Sequence, residues 1–310
     1  MGLIANIYKK RMICRYDKDG ITPYLSINDF PNLHLEKSSF LNSKNIRISY
    51  FIYNYDNYDK EKVIVFSHGI GPGHTAYLSE INTLCEKGFR VIAYDYTGCG
   101  ESEGSSLMSI NEPSRDLDDL LNHLAFKEEV ILIGHSLGGY TTLNIANRRA
   151  DIKKAIIMSP FLSIQNLMTF LLKSRLFAKQ IVKYEASIEK YYLSEDNLNY
   201  LSKTDDKLLF VHSKDDPVVG YLNSVKLVED LNNPNLSFVI VDGKGHNPNY
   251  SDEAIKYLRE TFREYNKLVK KKKLKTFEDK KGFMKDKSPR KMTIQDEEII
   301  SKIVEFIKGN

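Results

Sequence analysis

Ile131-Leu132-Ile133-Gly134-His135-Ser136-Leu137-Gly138-Gly139 decides how this chain is read. Val130 to Ile133 is a continuous apolar run of strand length, and from Leu137 to Arg149 apolar residues recur at helical intervals. Between them lies G-x-S-x-G, which puts Ser136 at a sharp turn from strand into helix. Such a turn lifts the serine hydroxyl above the sheet edge, and the small residues beside it let neighbouring backbone approach. The helix that follows aims its first amides at the same point, where a negatively charged oxygen would be stabilised. With 17 Gly in 310 residues, a bare G-x-S-x-G arises by chance in roughly one such chain in fourteen. The strand before it and the helix after it make Ser136 a candidate nucleophile.

A serine hydroxyl is a poor nucleophile until a base takes its proton. Where this turn carries chemistry, the chain order is nucleophile, acid, histidine. Only His212 and His246 of the seven histidines follow Ser136. His246 lies in the loop Val241-Asp242-Gly243-Lys244-Gly245-His246, after the apolar run Phe238 to Val241, where open α/β sheets assemble their sites. His212 falls inside the run Leu208 to His212 and reads as a strand residue. His246 is therefore the candidate base. Between the two, Lys214-Asp215-Asp216-Pro217-Val218-Val219 offers two carboxylates after a strand. Asp216 is favoured because it precedes Pro-Val-Val, where the chain turns into the next helix, and Asp215 is the alternative. The position after the run Ala155 to Met158 holds no carboxylate.

Upstream, Lys62 to Ser67 reads as a buried strand followed by the Gly-rich turn His68-Gly69-Ile70-Gly71-Pro72-Gly73-His74. The backbone amide of Ile70, paired with that of Leu137, is the expected oxyanion hole, a kind of donor whose loss costs ~10²–10³ in turnover. His68 and His74 read as scaffolding.

Together these pieces resemble the α/β-hydrolase superfamily, most closely its lysophospholipase-like and monoacylglycerol-lipase-like serine hydrolases. The matching residues are Ser67 to His74, Asp95-Tyr96-Thr97-Gly98-Cys99-Gly100-Glu101-Ser102, the turn at Ser136, the Asp216 turn and His246, in the family's order. The resemblance implies a doubly wound, mostly parallel sheet with a small helical cap, and a catalytic set of Ser136, Asp216 and His246. It also implies that the Asp95 to Ser102 turn packs beside the site without doing chemistry. Ser213 stands where the family often has glycine, and Ile70 is bulkier than the small residue usual after His-Gly.

Apolar runs at Arg47 to Tyr53, Val63 to Ser67, Arg90 to Tyr94, Val130 to Ile133, Ala155 to Met158, Leu208 to Val211 and Phe238 to Val241 alternate with helical patterns at 76–87, 113–124, 137–149 and 218–231. Strands that are apolar throughout suit a parallel sheet covered on both faces. Leading strands within residues 1–60 would form an antiparallel edge. The core is expected to span 1–160 and 205–310, with a cap at 161–204. Leu167, Phe170, Leu171 and Phe177 of that cap would face an acyl group. The stripe Ile299, Ile300, Ile303, Val304 and Ile307, after a capping-box-like Thr293-Ile294-Gln295-Asp296, should dock on the sheet.

Residues 267–292 hold twelve Lys or Arg against three Asp or Glu, a net +9, which leaves −5 for the rest of a chain that is +4 overall. Such a run reads as a solvated connector between a helix at 251–270 and the last one, with contact to anionic lipid head groups as its alternative use. Without aromatic interleaving it gives no reason to expect nucleic acid. No stretch has the length of a membrane span, and Met1 to Arg15 lacks the apolar region of a signal peptide. Gly2 raises myristoylation, but Asn6 stands where Ser or Thr is wanted. The three cysteines, Cys14, Cys85 and Cys99, have no metal-ligand spacing and fit a reducing cytoplasm.

The expected activity is cleavage of a carboxylic ester with a lipid-like acyl group, a monoacylglycerol or lysophospholipid, without metal or organic cofactor. Two alternatives stand beside it. An aminopeptidase of the proline-iminopeptidase kind would want acidic residues for the substrate amine, and the cap offers Glu185, Glu189, Glu195 and Asp196. A non-catalytic membrane-binding protein could use the same fold.

Overall fold

The computed structural model describes residues 6–9, 15–16, 20–193 and 196–309. Gly2, Cys14 and Glu195 lie outside the described residues. Eight strands form one sheet: β1 (His34–Leu41), β2 (Arg47–Asn54), β3 (Lys62–Ser67), β4 (Arg90–Tyr94), β5 (Glu129–His135), β6 (Lys154–Met158), β7 (Lys207–Ser213) and β8 (Leu236–Val241). Their order is β1-β2-β4-β3-β5-β6-β7-β8. β1 and β2 pair antiparallel with each other, β2 pairs antiparallel with β4, and all later pairings are parallel.

Side chains alternate across the sheet, so each apolar run feeds two cores. Val63, Val65, Leu132 and Ile157 join Leu117 and Leu120 of α2 (Glu112–Leu124) and Leu143 of α3 (Leu137–Arg148) on one face. Ile64, Phe66, Ile131 and Ile133 join Ile81 and Leu84 of α1 (Leu78–Glu86) on the other, where the isoleucine stripe of the terminal helix, α11 (Glu297–Lys308), also lies. The strand ends that carry Ser136, Asp216 and His246 all open at the same rim of the sheet.

Residues 161–204 fold as α4 (Ile164–Leu172), α5 (Arg175–Glu189) and α6 (Asn197–Leu201). The first two begin at serine caps, with Ser163 accepting from the Asn166 amide and Ser174 from that of Phe177. The pattern at 218–231 is realised as a 3-10 turn at Tyr221–Asn223 and the short α7 (Val225–Glu229).

The basic segment departs from the expected connector. α8 runs from Asp252 to Lys270, and after a short exposed lysine stretch the chain forms α9 (Phe277–Lys285) and α10 (Pro289–Met292). Thr276 and Asp279 cap α9 reciprocally, and the Ser288 hydroxyl caps α10. Asp296, not Thr293, caps α11, accepting from the amides of Glu298 and Ile299. Among the described residues no helix is long and apolar enough to cross a membrane.

Candidate active site

Ser136 stands where β5 passes into α3, with φ 57° and ψ −116°. A non-glycine residue held there costs on the order of 1–3 kcal/mol, which the surrounding packing must offset. That packing is backbone on backbone. A Cβ on Gly134 would lie 2.1 Å from the Gly138 carbonyl oxygen, and one on Gly138 would lie 1.9 Å from that of Ser67. Ser136 N–H donates to Met158 O at 2.9 Å, and its carbonyl accepts from Tyr140 N–H at 3.0 Å. The hydroxyl remains partly accessible at the rim.

The loop after β8 brings His246 to this turn. Nε2 lies 2.9 Å from Ser136 Oγ, and Nδ1 lies 2.7 Å from Asp216 Oδ2. With Nδ1–H donating to the carboxylate, the Nε2 lone pair faces the serine hydroxyl, as a general base requires. Asp216 Oδ1 accepts from the amides of Val218 at 2.8 Å and Val219 at 3.0 Å, so the Pro-Val-Val turn fixes the carboxylate. Burial pushes the Asp216 carboxyl up, but the His246 hydrogen bond and charge and the two amides outweigh it, holding the group below the usual carboxylate range. Asp215 points elsewhere: it accepts from Ser213 Oγ at 2.6 Å, the Gly245 amide at 2.9 Å and Arg259 at 3.1 Å. It ties down the loop that carries His246.

Two further histidines support this set, and sequence reasoning gave neither a role in it. His135, the variable residue of G-x-S-x-G, donates from Nε2 to His246 O at 2.7 Å, and Tyr77 O–H donates to its Nδ1 at 2.9 Å. Burial pushes His135 down to about 3, so the ring is neutral, with one donor and one acceptor to match. His212 donates from Nε2 to Val219 O at 3.0 Å, bracing the turn that holds Asp216. Its burial likewise lowers its pKa.

The loop expected to supply the oxyanion hole runs against the turn at Ser136: a Cβ on Gly69, the residue before Ile70, would sit 3.5 Å from Ser136 Cβ. Leu137 opens α3, where an N–H has no intrahelical acceptor. His68 is fully buried, donates from Nδ1 to Gly69 O at 2.6 Å and stacks on Tyr96 at 3.7 Å. Burial pushes it down to about 4. His74 donates to Asp95 Oδ1 at 2.8 Å, and the other Asp95 oxygen takes the Glu101 amide at 2.8 Å. A Cβ on Gly73 or Gly100 would fall 2.3 or 2.2 Å from that carboxylate. The Asp95 to Ser102 turn thus locks the loop in place.

Of the four cap residues, Leu167 is buried in the core, and Phe170 abuts Gly220 beyond the acid turn. Leu171 and Phe177 are exposed, as are Ile70 on the oxyanion loop and Val218 on the acid turn. A pocket of about 300 Å³ lies behind the oxyanion loop, lined in part by Gly69, Ile70, Tyr77 and Asn247, and none of the four cap residues lines it. Among the described residues no group of three His, Cys, Asp or Glu side chains could hold a metal ion.

Sheet order, strand directions and the strained turn at Ser136 define an α/β-hydrolase fold. Residues 58–208 match the family model described as serine aminopeptidase, S33. An uncharacterised protein of Acanthamoeba polyphaga mimivirus is 26% identical over 225 residues, covering 67% of this chain and 75% of that one. The proline iminopeptidase of Saccharolobus solfataricus is 27% identical over 210 residues, 63% of this chain and 66% of that protein. A solved esterase of Pyrococcus furiosus superposes with a TM-score of 0.58 at 16% identity, covering 87% of this chain and 97% of that one. These findings show an α/β-hydrolase fold and a chain similar to peptidases and esterases built on it.

Proposed function

We propose that this chain hydrolyses carboxylic esters with lipid-like acyl groups through Ser136, His246 and Asp216. The observation that carries the reading is the continuous hydrogen-bonded line from Asp216 through His246 to Ser136 Oγ, at 2.7 and 2.9 Å, on a strained strand-to-helix turn. Ser136 Oγ attacks the ester carbonyl carbon as its proton passes to His246 Nε2. The tetrahedral oxyanion lies between the amides of Leu137 and Ile70. Its collapse breaks the carbon–oxygen bond of the leaving alcohol, which His246 protonates. A water then attacks the acyl-enzyme with His246 again as base, releasing the acid and restoring the serine.

The apolar residues around the rim support a lipid-like substrate. Ile70 on the loop beside Ser136 and Val218 on the turn that holds Asp216 are both exposed, and large apolar side chains presented at a site favour apolar groups there. Two of the four cap carboxylates weigh against an aminopeptidase. Glu189 is paired with Arg115 and Lys44, both at 2.7 Å. Glu185 accepts from Ser109, Tyr8 and the Ile110 amide. Both are spent on packing, and neither is free to take a substrate amine. The exposed Lys270–Lys273 run is one part of the basic segment that an anionic membrane surface could meet.

A fluorophosphonate probe should label the wild type and fail on Ser136→Ala, whose ester turnover should fall by about 10⁴–10⁶. A p-nitrophenyl ester series should outrun aminoacyl anilides. Unlabelled wild type, or faster anilide cleavage, would overturn the esterase reading.

A further inference from the structure

A cavity of about 760 Å³ opens beside the pocket behind the oxyanion loop, sharing with it a wall of Thr22 to Leu25, Thr75 and Leu78. That volume is in the range of cavities that enclose a small organic ligand. Ile21, Pro23, Leu25, Leu35 and Leu78 give it an apolar lining, and α9 adds Lys281, Gly282 and Lys285. Lys37 and Glu101 also line it but neutralise each other at 2.9 Å. Glu278, Lys281 and Lys285 have no ion-pair partner among the described residues, so the free charge at the cavity is net positive. Lys281 and Lys285 stand four apart on α9 and share one face.

One detail points to an occupant. Gly282 lies inside a helix, where glycine is disfavoured, yet nothing in the fold demands it. A Cβ there would meet no atom within 4 Å, and no left-handed backbone explains the choice. A side chain there would enter open space at the cavity's lining beside the two lysines.

We propose that this cavity binds a long-chain carboxylate, with the anionic head between Lys281 and Lys285 and the chain along Ile21, Leu25 and Leu78. The acid released by the ester cleavage proposed above belongs to this class, but the binding site stands on the cavity alone.

Calorimetric titration of the full chain with saturated and unsaturated fatty acids, below their micellar concentrations, tests it. Binding should be saturable at one site and tighten about fourfold per added methylene until the cavity is filled. Gly282→Phe should weaken oleate binding at least tenfold while Tm holds or rises, because phenylalanine has the higher helix propensity. Lys281→Glu combined with Lys285→Glu should weaken it comparably. Lys271→Glu, on the exposed run outside the lining, should leave it unchanged. Oleyl alcohol binding as tightly as oleate, or Gly282→Phe binding oleate like the wild type, would overturn the proposal. A chain without esterase activity that still binds oleate in a Gly282-dependent way leaves this inference standing and removes only the esterase reading.

Discussion

Asp215 and Asp216 carry the same carboxylate one position apart and do different work. Asp216 is buried against His246, Val218 and Val219, whereas Asp215 faces Ser213, Gly245 and Arg259. Asp216→Asn should lower kcat by about 10⁴, because the amide no longer holds the imidazole in the useful tautomer. Asp215→Asn should keep turnover within about tenfold of wild type and lower Tm instead, since it loosens only the loop. Steady-state kinetics and thermal melts on the two variants separate the roles. That Ser136, Asp216 and His246 would meet, as their hydrogen-bonded line now shows, was legible because each follows an apolar strand in the order of the family the chain resembles. His135 and His212 were not legible. Their partners are the backbone oxygens of His246 and Val219, 111 and 7 residues away, and a backbone oxygen leaves no mark in a sequence.

At the level of elements, legibility followed burial. β3 and β6 are covered on both faces and read as unbroken apolar runs. β1, exposed along most of its length, gave no such run and was expected at the antiparallel edge without bounds of its own. α9 and α10 were hidden for another reason. They are short and lysine-rich, and their starts rest on local caps at Thr276 and Ser288 rather than on an apolar stripe. The α3–β3 junction is the least tolerant contact between elements. Gly138→Ala would drive a Cβ to 1.9 Å from the Ser67 carbonyl oxygen, where backbone on both sides cannot yield cheaply. A loss of about 3 kcal/mol in denaturant unfolding is expected, with esterase turnover falling alongside because the oxyanion loop must move.

The molecule as a whole is tied together by buried polar groups that carry a pH signature. Burial pushes Glu185, which joins α5 to the start of α2, up to about 7, and does the same to Glu80 on α1. A carboxyl raised in the folded state binds its proton more tightly than in the unfolded chain. Its stabilising share is therefore full below the ordinary glutamate range and lost as pH rises toward 7. For Glu185 alone this amounts to ~3 kcal/mol by pH 8. Glu185→Gln can still accept from Ser109 and Ile110 and can donate to Tyr8, so its Tm should change less between pH 5 and pH 8 than that of wild type. An equal fall in both proteins would contradict this assignment. The C-terminal part is anchored on both sides of its lysine run. Before it, Arg259 of α8 donates to Asp215 at 3.1 Å, and Ala254 and Ile255 are buried in a cluster that includes Ile294 from beyond the run. After it, Arg290 donates to Asp29 O at 2.6 Å, and the isoleucines of α11 enter the sheet's core. Severing the backbone at Lys271 or Lys272 with trypsin should therefore give two bands on a denaturing gel but one native-sized, working species in solution, a nick without separation.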